Sequence, residues 1–321
     1  MIRIGLLGAS KIAPPAVIAP AAANPGFEVT AVGASDLGRA RAYAETHAIP
    51  GVAAGYAELV RREDVDVVYN ALPPSAHAEW TIAALEAGKA VLCEKPFSMS
   101  AAEARKMTDA AAARGQVLLE AFHYRHHNVM REAERLVRSG ALGAVRRASA
   151  EFQVNIPRSP DELRWRAELG GGGLMDLGCY PVHALRTLLA SEPKVTSAEG
   201  AFEGRVDTRI SAKLAFANGV EAEMACAMIA AAPSARLVLE GERGRLEIFN
   251  YLAPQLGCRF TTTLDGVEET RPTDGPTTYE AQLAHLEAVL GGAPSLTGGA
   301  DAVGNMATIE AIYAAAGRPA A

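Results

Sequence analysis

Apolar residues run almost unbroken through Ile2–Leu7 and stop at Gly8, the pattern of a short strand buried on both faces. Phe27–Val32, Val65–Asn70, Ala90–Cys93 and Val117–Ala121 read the same way. Helix signals fill the gaps. Pro14 and Pro15 suit a first helical turn, where a missing N–H costs little, and Pro20 should kink or shorten that helix. Asn24-Pro25-Gly26 marks a turn, and Asp36 is placed to cap a helix running to His47. Ser75–Ala87 reads as a helix stopped by Gly88, and Ser100 with Glu103 forms a capping box for a helix to about Arg114, closed by Gly115. Alternating strands and helices of this kind predict a parallel sheet covered on both faces.

Beyond Ala121 the period changes. His127–Ser139 is a helix ended by Gly140. From Ala148 to Ile156 apolar and polar residues alternate, as in a half-buried antiparallel strand. Asn218-Gly219 between Arg209–Phe216 and Val220–Ala227 is a hairpin signal. Arg236–Glu240, Arg245–Asn250 and Cys258–Leu264 add strands, and two helices, Tyr279–Leu290 and Asp301–Ala316, close the chain. The fold class expected is α/β: an N-terminal Rossmann dinucleotide-binding domain over residues 1–121, then an α+β domain over 122–321 with a mainly antiparallel sheet.

Bulk properties narrow the function. A chain of 321 residues with 49% hydrophobic and 21% charged residues supports buried cores rather than disorder. The net charge of −6 argues against nucleic acid or an anionic membrane surface as partner. No apolar run approaches the roughly 18 residues of a membrane span, and the opening MIRIGLLG lacks signal-peptide patterning, so a cytoplasmic protein is expected. Cys93, Cys179, Cys226 and Cys258 form no CxxC pair and read as free thiols. His123, His126 and His127 cluster without a suitably spaced further ligand, so no metal site is expected there.

The first strand-to-helix turn carries candidate chemistry. Gly8-Ala9-Ser10-Lys11-Ile12-Ala13 fills the frame G-x-G-x-x-G/A with Ser10 at the second glycine. Gly8 allows the tight turn, position 10 lies where a pyrophosphate approaches the backbone, and Ala13 permits close helix packing. Lys11 either neutralises a phosphate or stays in solvent. The second strand ends Val32-Gly33-Ala34-Ser35-Asp36, and no acid stands at the ribose position, Ala34 or Ser35. That favours NADP, with NAD left open, because Asp36 is near and the usual arginine is missing. Arg39 and Arg41 lie close by on the following helix. Glu94-Lys95-Pro96 follows the strand Ala90–Cys93, at the carboxyl edge where ligands bind in open α/β sheets.

These pieces together resemble the glucose–fructose oxidoreductase / inositol dehydrogenase (Gfo/Idh/MocA) family. The matching segments are GLLGASKIA, Leu72-Pro73-Pro74-Ser75-Ala76-His77, Val91-Leu92-Cys93-Glu94-Lys95-Pro96, Glu120-Ala121-Phe122-His123-Tyr124-Arg125, Gly171-Gly172-Gly173-Leu174-Met175-Asp176-Leu177-Gly178-Cys179-Tyr180-Pro181, and Tyr279-x-x-Gln282-x-x-His285. Tyr180 and His183 place the chain near the branch of dihydrodiol and aldose dehydrogenases. Pro74 stands where the family often has Asn, and Ser35 where NADP-using relatives carry Arg. The resemblance implies hydride transfer between a nicotinamide and a sugar, polyol, inositol or dihydrodiol, with Lys95 and Tyr180 as the catalytic pair. It also implies a large antiparallel sheet used for self-association.

The residues bear this out in their own terms. Asp176, Tyr180 and His183 fall at i, i+4 and i+7, one helical face, in a helix weakened by Gly178 and by Pro181. A free tyrosine, with a pKa near 10, is poorly matched to neutral pH, and a nearby ammonium favours its phenolate. Tyr180 is therefore read as general acid/base, Lys95 as its tuner and a donor to the substrate oxygen, and Glu94 as a ribose ligand or holder of the lysine. Asp176 and His183 orient substrate hydroxyls. Gly8, Ser10, Lys11, Ile12, Ser35, Asp36, Leu72, Pro73, His77 and Arg125 are the other candidate cofactor contacts, His77 having helix capping as its alternative role. The glycines 170–173 read as a flexible pocket edge, and the loop Asn155–Arg166 as a pocket wall. Two other classes compete: a NAD-retaining glycosidase, and a nucleotide-sensing binding protein without turnover. Intact Lys95 and Tyr180 oppose the latter.

Overall fold

In the computed structural model, which describes residues 1–159 and 162–319, the early apolar runs become one parallel sheet. Its strands are β1 (Ile2–Leu7), β2 (Phe27–Gly33), β3 (Gly51–Ala53), β4 (Val67–Asn70), β5 (Ala90–Cys93) and β6 (Leu118–Glu120). They lie in the order β3-β2-β1-β4-β5-β6, every pair parallel. The winding direction reverses between β1 and β4, which opens a crevice at the carboxyl ends of those two strands. β3 had no sequence signal because three residues beginning with glycine show no period. The predicted helix breaks are visible: Pro14–Ile18 form a wide π turn that opens on its prolines, and Ala19–Ala23 continue as a short α-helix containing Pro20.

The chain divides into two compact units, but not at a single cut after 121. The first comprises Met1–Phe122 and Tyr279–Val303; the second comprises His123–Thr278 and the chain from Gly304 onward. The reason lies in the apolar stripe of helix Thr278–Leu290. Its Leu283, Leu286 and Val289 are buried with Ile4, Leu6, Val67, Tyr69, Leu92 and Leu119 of the parallel sheet. Each such side chain contributes roughly 1.5–3 kcal/mol of burial, which a helix placed elsewhere would forgo.

The second unit is built on an eight-stranded sheet. β7 (Val145–Gln153), β8 (Pro193–Glu203), β9 (Val206–Phe216), β10 (Glu221–Ala227), β11 (Ser234–Gly241), β12 (Gly244–Phe249), β13 (Arg259–Leu264) and β14 (Val267–Arg271) take the order β14-β13-β12-β11-β7-β10-β9-β8. All pairs are antiparallel except β7 with β10. The Asn218-Gly219 hairpin joins β9 to β10, with Gly219 at φ +82°. The two edge strands, β8 and β14, escaped the sequence pattern because neither has a buried residue to mark an alternation, and the charges they carry also guard the sheet edges. On β9, Ile210, Ala212, Leu214 and Phe216 are buried while Arg209, Ser211 and Lys213 are exposed, so one face is core and the other open. No helix among the described residues is long and apolar enough to cross a membrane.

Candidate active site

In the first unit the dinucleotide turn is shaped by backbone contacts. Gly8 is buried at φ +96°, and a Cβ there would lie 3.2 Å from Leu72 and 3.4 Å from the Ala71 carbonyl. A side chain at residue 8 would therefore crowd the Leu72 turn beyond β4, and the positive φ itself favours glycine. Ser10 Oγ accepts the Ala13 N–H at 3.2 Å, capping the helical residues 13–23, and the Ser10 carbonyl accepts the Tyr43 hydroxyl at 2.8 Å. Ala13 is fully buried, as the close-packing role requires, Ile12 is half-buried, and Lys11 is exposed. Ser35 is exposed at the end of the second strand. Asp36 caps helix Leu37–Thr46 by accepting the Arg39 N–H at 2.8 Å, while the Arg39 guanidinium reaches back to the Ala9 carbonyl at 3.3 Å. The helix start itself offers few donors, since Pro14 and Pro15 have no N–H and the N–H groups of Ala13 and Ala16 are bound to Ser10 and Ile12; small residues and the positive-φ glycine leave the backbone of the turn 8–12 to face a pyrophosphate.

The β4 and β5 ends carry the other half of this edge. Glu94 is buried, and its Oε1 accepts the Tyr69 hydroxyl at 2.5 Å; Oε2 lies 3.3 Å from the Lys95 N–H. Its proximity to Tyr279 adds to burial in raising that phenol's pKa. Tyr69 went unremarked in the sequence because strand position alone marks it as core, yet its polar end holds the Glu-Lys-Pro glutamate. The half-buried Lys95 precedes a cis peptide bond to Pro96. His77 is fully buried. Its Nδ1 faces the carbonyls of Pro96 (3.0 Å) and Phe97 (3.3 Å), and its Nε2 that of Leu72 (2.8 Å). It thereby ties the Leu72-Pro73 turn to the loop after Lys95. Burial pushes its pKa down to about 4 against the opposing pull of those carbonyls.

The second unit assembles side chains from distant segments. Leu174–Gly178 form a wide π turn that leads into helix Cys179–Leu189, so the flaw foreseen from Gly178 is an extra residue in the turn. Gly178 is needed there, since a Cβ would lie 2.9 Å from Cys226 Sγ and 2.7 Å from Leu174. Tyr180 is 6% exposed; its hydroxyl lies 3.3 Å from His123 Nε2, and His123 Nδ1 lies 2.8 Å from the Thr278 hydroxyl. Tyr124 and Phe152 meet the Tyr180 ring edge-on, each at 5.7 Å between centroids. His183 is fully buried with Nδ1 2.6 Å from the Tyr124 hydroxyl, so within this unit it orients Tyr124. Asp176 pairs with Arg164 at 2.5 Å, an arginine whose relevance the sequence did not reveal. Arg125 gives its guanidinium fork to Glu134 at 2.7 and 2.9 Å. His127 caps helix Asn128–Arg138.

The glycine run is not a flexible edge. Glycines 170–173 are all buried, and a Cβ on Gly171 would lie 2.6–2.8 Å from the carbonyls of Leu163, Arg164 and Arg166. Gly171 is glycine because backbone touches backbone there, and Gly172 and Gly173 because the Asp207 side chain packs against them. In the loop Asn155–Arg166, Trp165 Nε1 donates to the Ile156 carbonyl at 3.3 Å and Arg158 lies over the Trp165 ring; Pro160 and Asp161 fall outside the described residues.

Comparison with known proteins matches this architecture segment by segment. The profile of an oxidoreductase family with an NAD-binding Rossmann fold fits residues 2–122, and that of the Gfo/Idh/MocA C-terminal domain fits residues 130–247. The chain belongs to the Gfo/Idh/MocA family. Among Gfo/Idh/MocA relatives, a dTDP-3,4-didehydro-2,6-dideoxy-alpha-D-glucose 3-reductase of Streptomyces violaceoruber is 40% identical over 275 residues, covering 84% of this chain and 79% of that protein. A D-xylose 1-dehydrogenase (NADP(+)) of Haloferax volcanii is 34% identical, covering 98% of this chain and 97% of its own. The structure of a 3-ketoreductase from Actinomadura kijaniata in complex with NADP and TDP-benzene superposes with a TM-score of 0.87 at 28% identity, over 98% of this chain and 97% of that one. Within the Gfo/Idh/MocA frame, Lys95 belongs to the first unit and Tyr180, Asp176, His183 and Arg125 to the second.

Proposed function

We propose that this member of the family is an NADP-preferring oxidoreductase acting on a CH–OH or C=O carbon of a sugar, polyol, inositol or dihydrodiol. The observation that carries this reading is the carboxyl edge of the parallel sheet, where the Gly8 turn at the strand-order reversal and the Glu94-Lys95 pair occur in one unit. The NADP named for two of the relatives supports the cofactor. Gly8, Ser10 and the backbone N–H groups of the turn at Lys11 and Ile12 would hold a pyrophosphate, with Leu72 and Pro73 flanking it. A bound nicotinamide supplies the hydride acceptor or donor.

The chain's own residues handle the proton. Tyr180 takes it from, or returns it to, the substrate oxygen. The positive charge of Lys95 favours the phenolate and so brings a group with pKa near 10 toward neutrality. His123, 3.3 Å from the phenol, is a hydrogen-bonding partner of Tyr180, and Thr278 fixes the imidazole from behind. Glu94, held by Tyr69, keeps a carboxylate beside the lysine backbone. Asp176, with Arg164, presents a charged pair for substrate hydroxyls. The open face of the second sheet, lined by Ser149, Ser211, Lys213, Glu223 and Arg236, is proposed as a self-association surface.

The test is a titration with NADPH and NADH, followed by an aldose and polyol panel read at the reduced-nicotinamide absorbance. Tyr180→Phe should lower kcat by roughly 10²–10⁴ while NADPH affinity stays within about twofold. Full turnover in that variant would remove Tyr180 from the chemistry. A product formed without net change in cofactor absorbance would instead favour a cofactor-retaining glycosidase.

A further inference from the structure

Asp207, on β9, is fully buried and belongs to no motif visible in the sequence. Both of its oxygens are engaged. Oδ2 accepts the Leu174 N–H at 2.6 Å, and Oδ1 accepts the Tyr313 hydroxyl at 2.6 Å. Leu174 opens the turn that leads into helix Cys179–Leu189, where the first N–H groups have no partner within the helix and negative charge is favourable. The carboxylate is thus a cap supplied from another strand, 33 residues away in sequence.

The glycine run makes this approach possible. A Cβ on Gly173 would lie 3.1 Å from Oδ2, and one on Gly172, at φ +127°, would overlap Oδ1. Tyr313 is itself covered by the Arg318 guanidinium, 4.1 Å from its ring centre. The helix that carries Tyr313 makes a second hold: Asn305 Nδ2 donates to the carbonyl of Cys179, the residue before Tyr180, at 3.3 Å. Burial raises the Asp207 pKa from its ordinary value despite these donors. A neutral side chain could cap a helix, but this carboxylate accepts from two elements at once, the Leu174 turn and the helix of Tyr313.

We infer that Asp207, backed by Tyr313, is a positioning residue that fixes the start of the Tyr180 helix and so the placement of the Tyr180 phenol. The inference rests on Tyr180 being the acid/base. It deepens that reading by assigning the glycines and a remote carboxylate to the same function.

The test uses the full chain with Asp207→Asn and Tyr313→Phe, and Tyr180→Phe as reference. Amide hydrogen exchange over residues 172–180 should quicken about tenfold or more in Asp207→Asn, with β1 and β4–β6 exchanging as in the wild type. With D-xylose and NADP⁺, or the best substrate of the panel, kcat should fall at least tenfold while KM and NADPH affinity stay within about twofold, since misplacement of a reacting group by about an ångström can cost 10²-fold. If Asp207→Asn does not fold, Tyr313→Phe, which removes one hydroxyl, should show the same split with about a threefold to tenfold loss. Unchanged exchange over 172–180 in the folded variant, or a wild-type kcat per NADPH-binding site, overturns the inference. An inactive Tyr180→Phe beside a fully active Asp207→Asn sinks the positioning role alone. A fully active Tyr180→Phe sinks the acid/base reading and the positioning role with it.

Discussion

The two units build their chemistry in different ways. In the first, the candidate groups sit where consecutive residues leave a strand: Gly8 after β1, Leu72 after β4, Glu94 and Lys95 after β5. Chain direction and turn shape do most of the placing. In the second, Tyr180 meets His123 from 57 residues away, His183 meets Tyr124 from 59, and Tyr313 meets Asp207 from 106. Side chains there are placed by one another, through buried hydrogen bonds whose partners no local pattern announces. A site of the first kind should tolerate side-chain changes away from its turns. A site of the second kind should fail at single contacts far from the chemistry.

The largest effect that sharpens this contrast is expected at Gly172. Gly172→Ala forces an alanine to φ +127° and drives its methyl into the Asp207 carboxylate. Backbone strain and overpacking together should cost roughly 3–5 kcal/mol, seen as a large fall in the urea midpoint. Gly8→Ala meets a tight contact with the end of the Leu72 side chain, which can give way, and a positive φ, so it should cost about 1–2 kcal/mol of stability while weakening NADPH binding. Equal stability losses at the two glycines would erase the distinction.

The next effect separates the units by pH. His77, in the first unit, has its folded pKa pushed from 6.5 to about 4. Its contribution is complete above pH 6.5 and drains away as pH falls toward 4, because the unfolded chain then binds a proton that the folded chain refuses. The shift corresponds to about 3 kcal/mol. Asp207, in the second unit, has the opposite sign: its folded pKa lies above 3.8, so its contribution is greatest in acid and is lost as pH rises through that value. Hydrogen exchange at pH 5 should therefore show β1–β6 opening more readily relative to pH 7 than β7–β14. His77→Asn should flatten the acid limb of the first unit. A uniform response of both sheets, or an unchanged acid limb in that variant, would count against the assignment.

How much of this was legible follows from the same contrast. β1 and β5 were readable to the residue, since a buried parallel strand is a continuous apolar run with sharp ends. So were the Ser100 cap, which accepts the Glu103 N–H at 3.1 Å, and the αL turn at Gly115. The edge strands β8 and β14 were not, because exposure removes the alternation that would reveal them. Gly178 and the glycines before it were read as weakness or flexibility. Sequence shows that a side chain is missing but not what fills its place, here Cys226, Asp207 and three carbonyls. The return of Leu283, Leu286 and Val289 to the first core was hidden for a similar reason: an apolar stripe does not say which sheet it covers.

The smallest effect tests the local logic of the first unit at its weakest point, the cofactor ribose. The second strand offers no arginine after Gly33, but Arg39 extends from the next helix to the Ala9 carbonyl of the dinucleotide turn. The Asp36 carboxylate is meanwhile engaged with the Arg39 backbone N–H, which directs its charge at the helix start. An arginine one turn into the helix can then serve a 2′-phosphate in place of the missing one. Because Arg39 is exposed, its attraction is screened, and Arg39→Ala should weaken NADPH binding by only about 1 kcal/mol, roughly fivefold, leaving NADH binding unchanged. The difference between the two cofactors should shrink further as salt is raised, in the wild type but not in the variant. Equal losses for NADPH and NADH would mean that Arg39 merely supports the turn through Ala9, and the preference would have to come from elsewhere in the first unit.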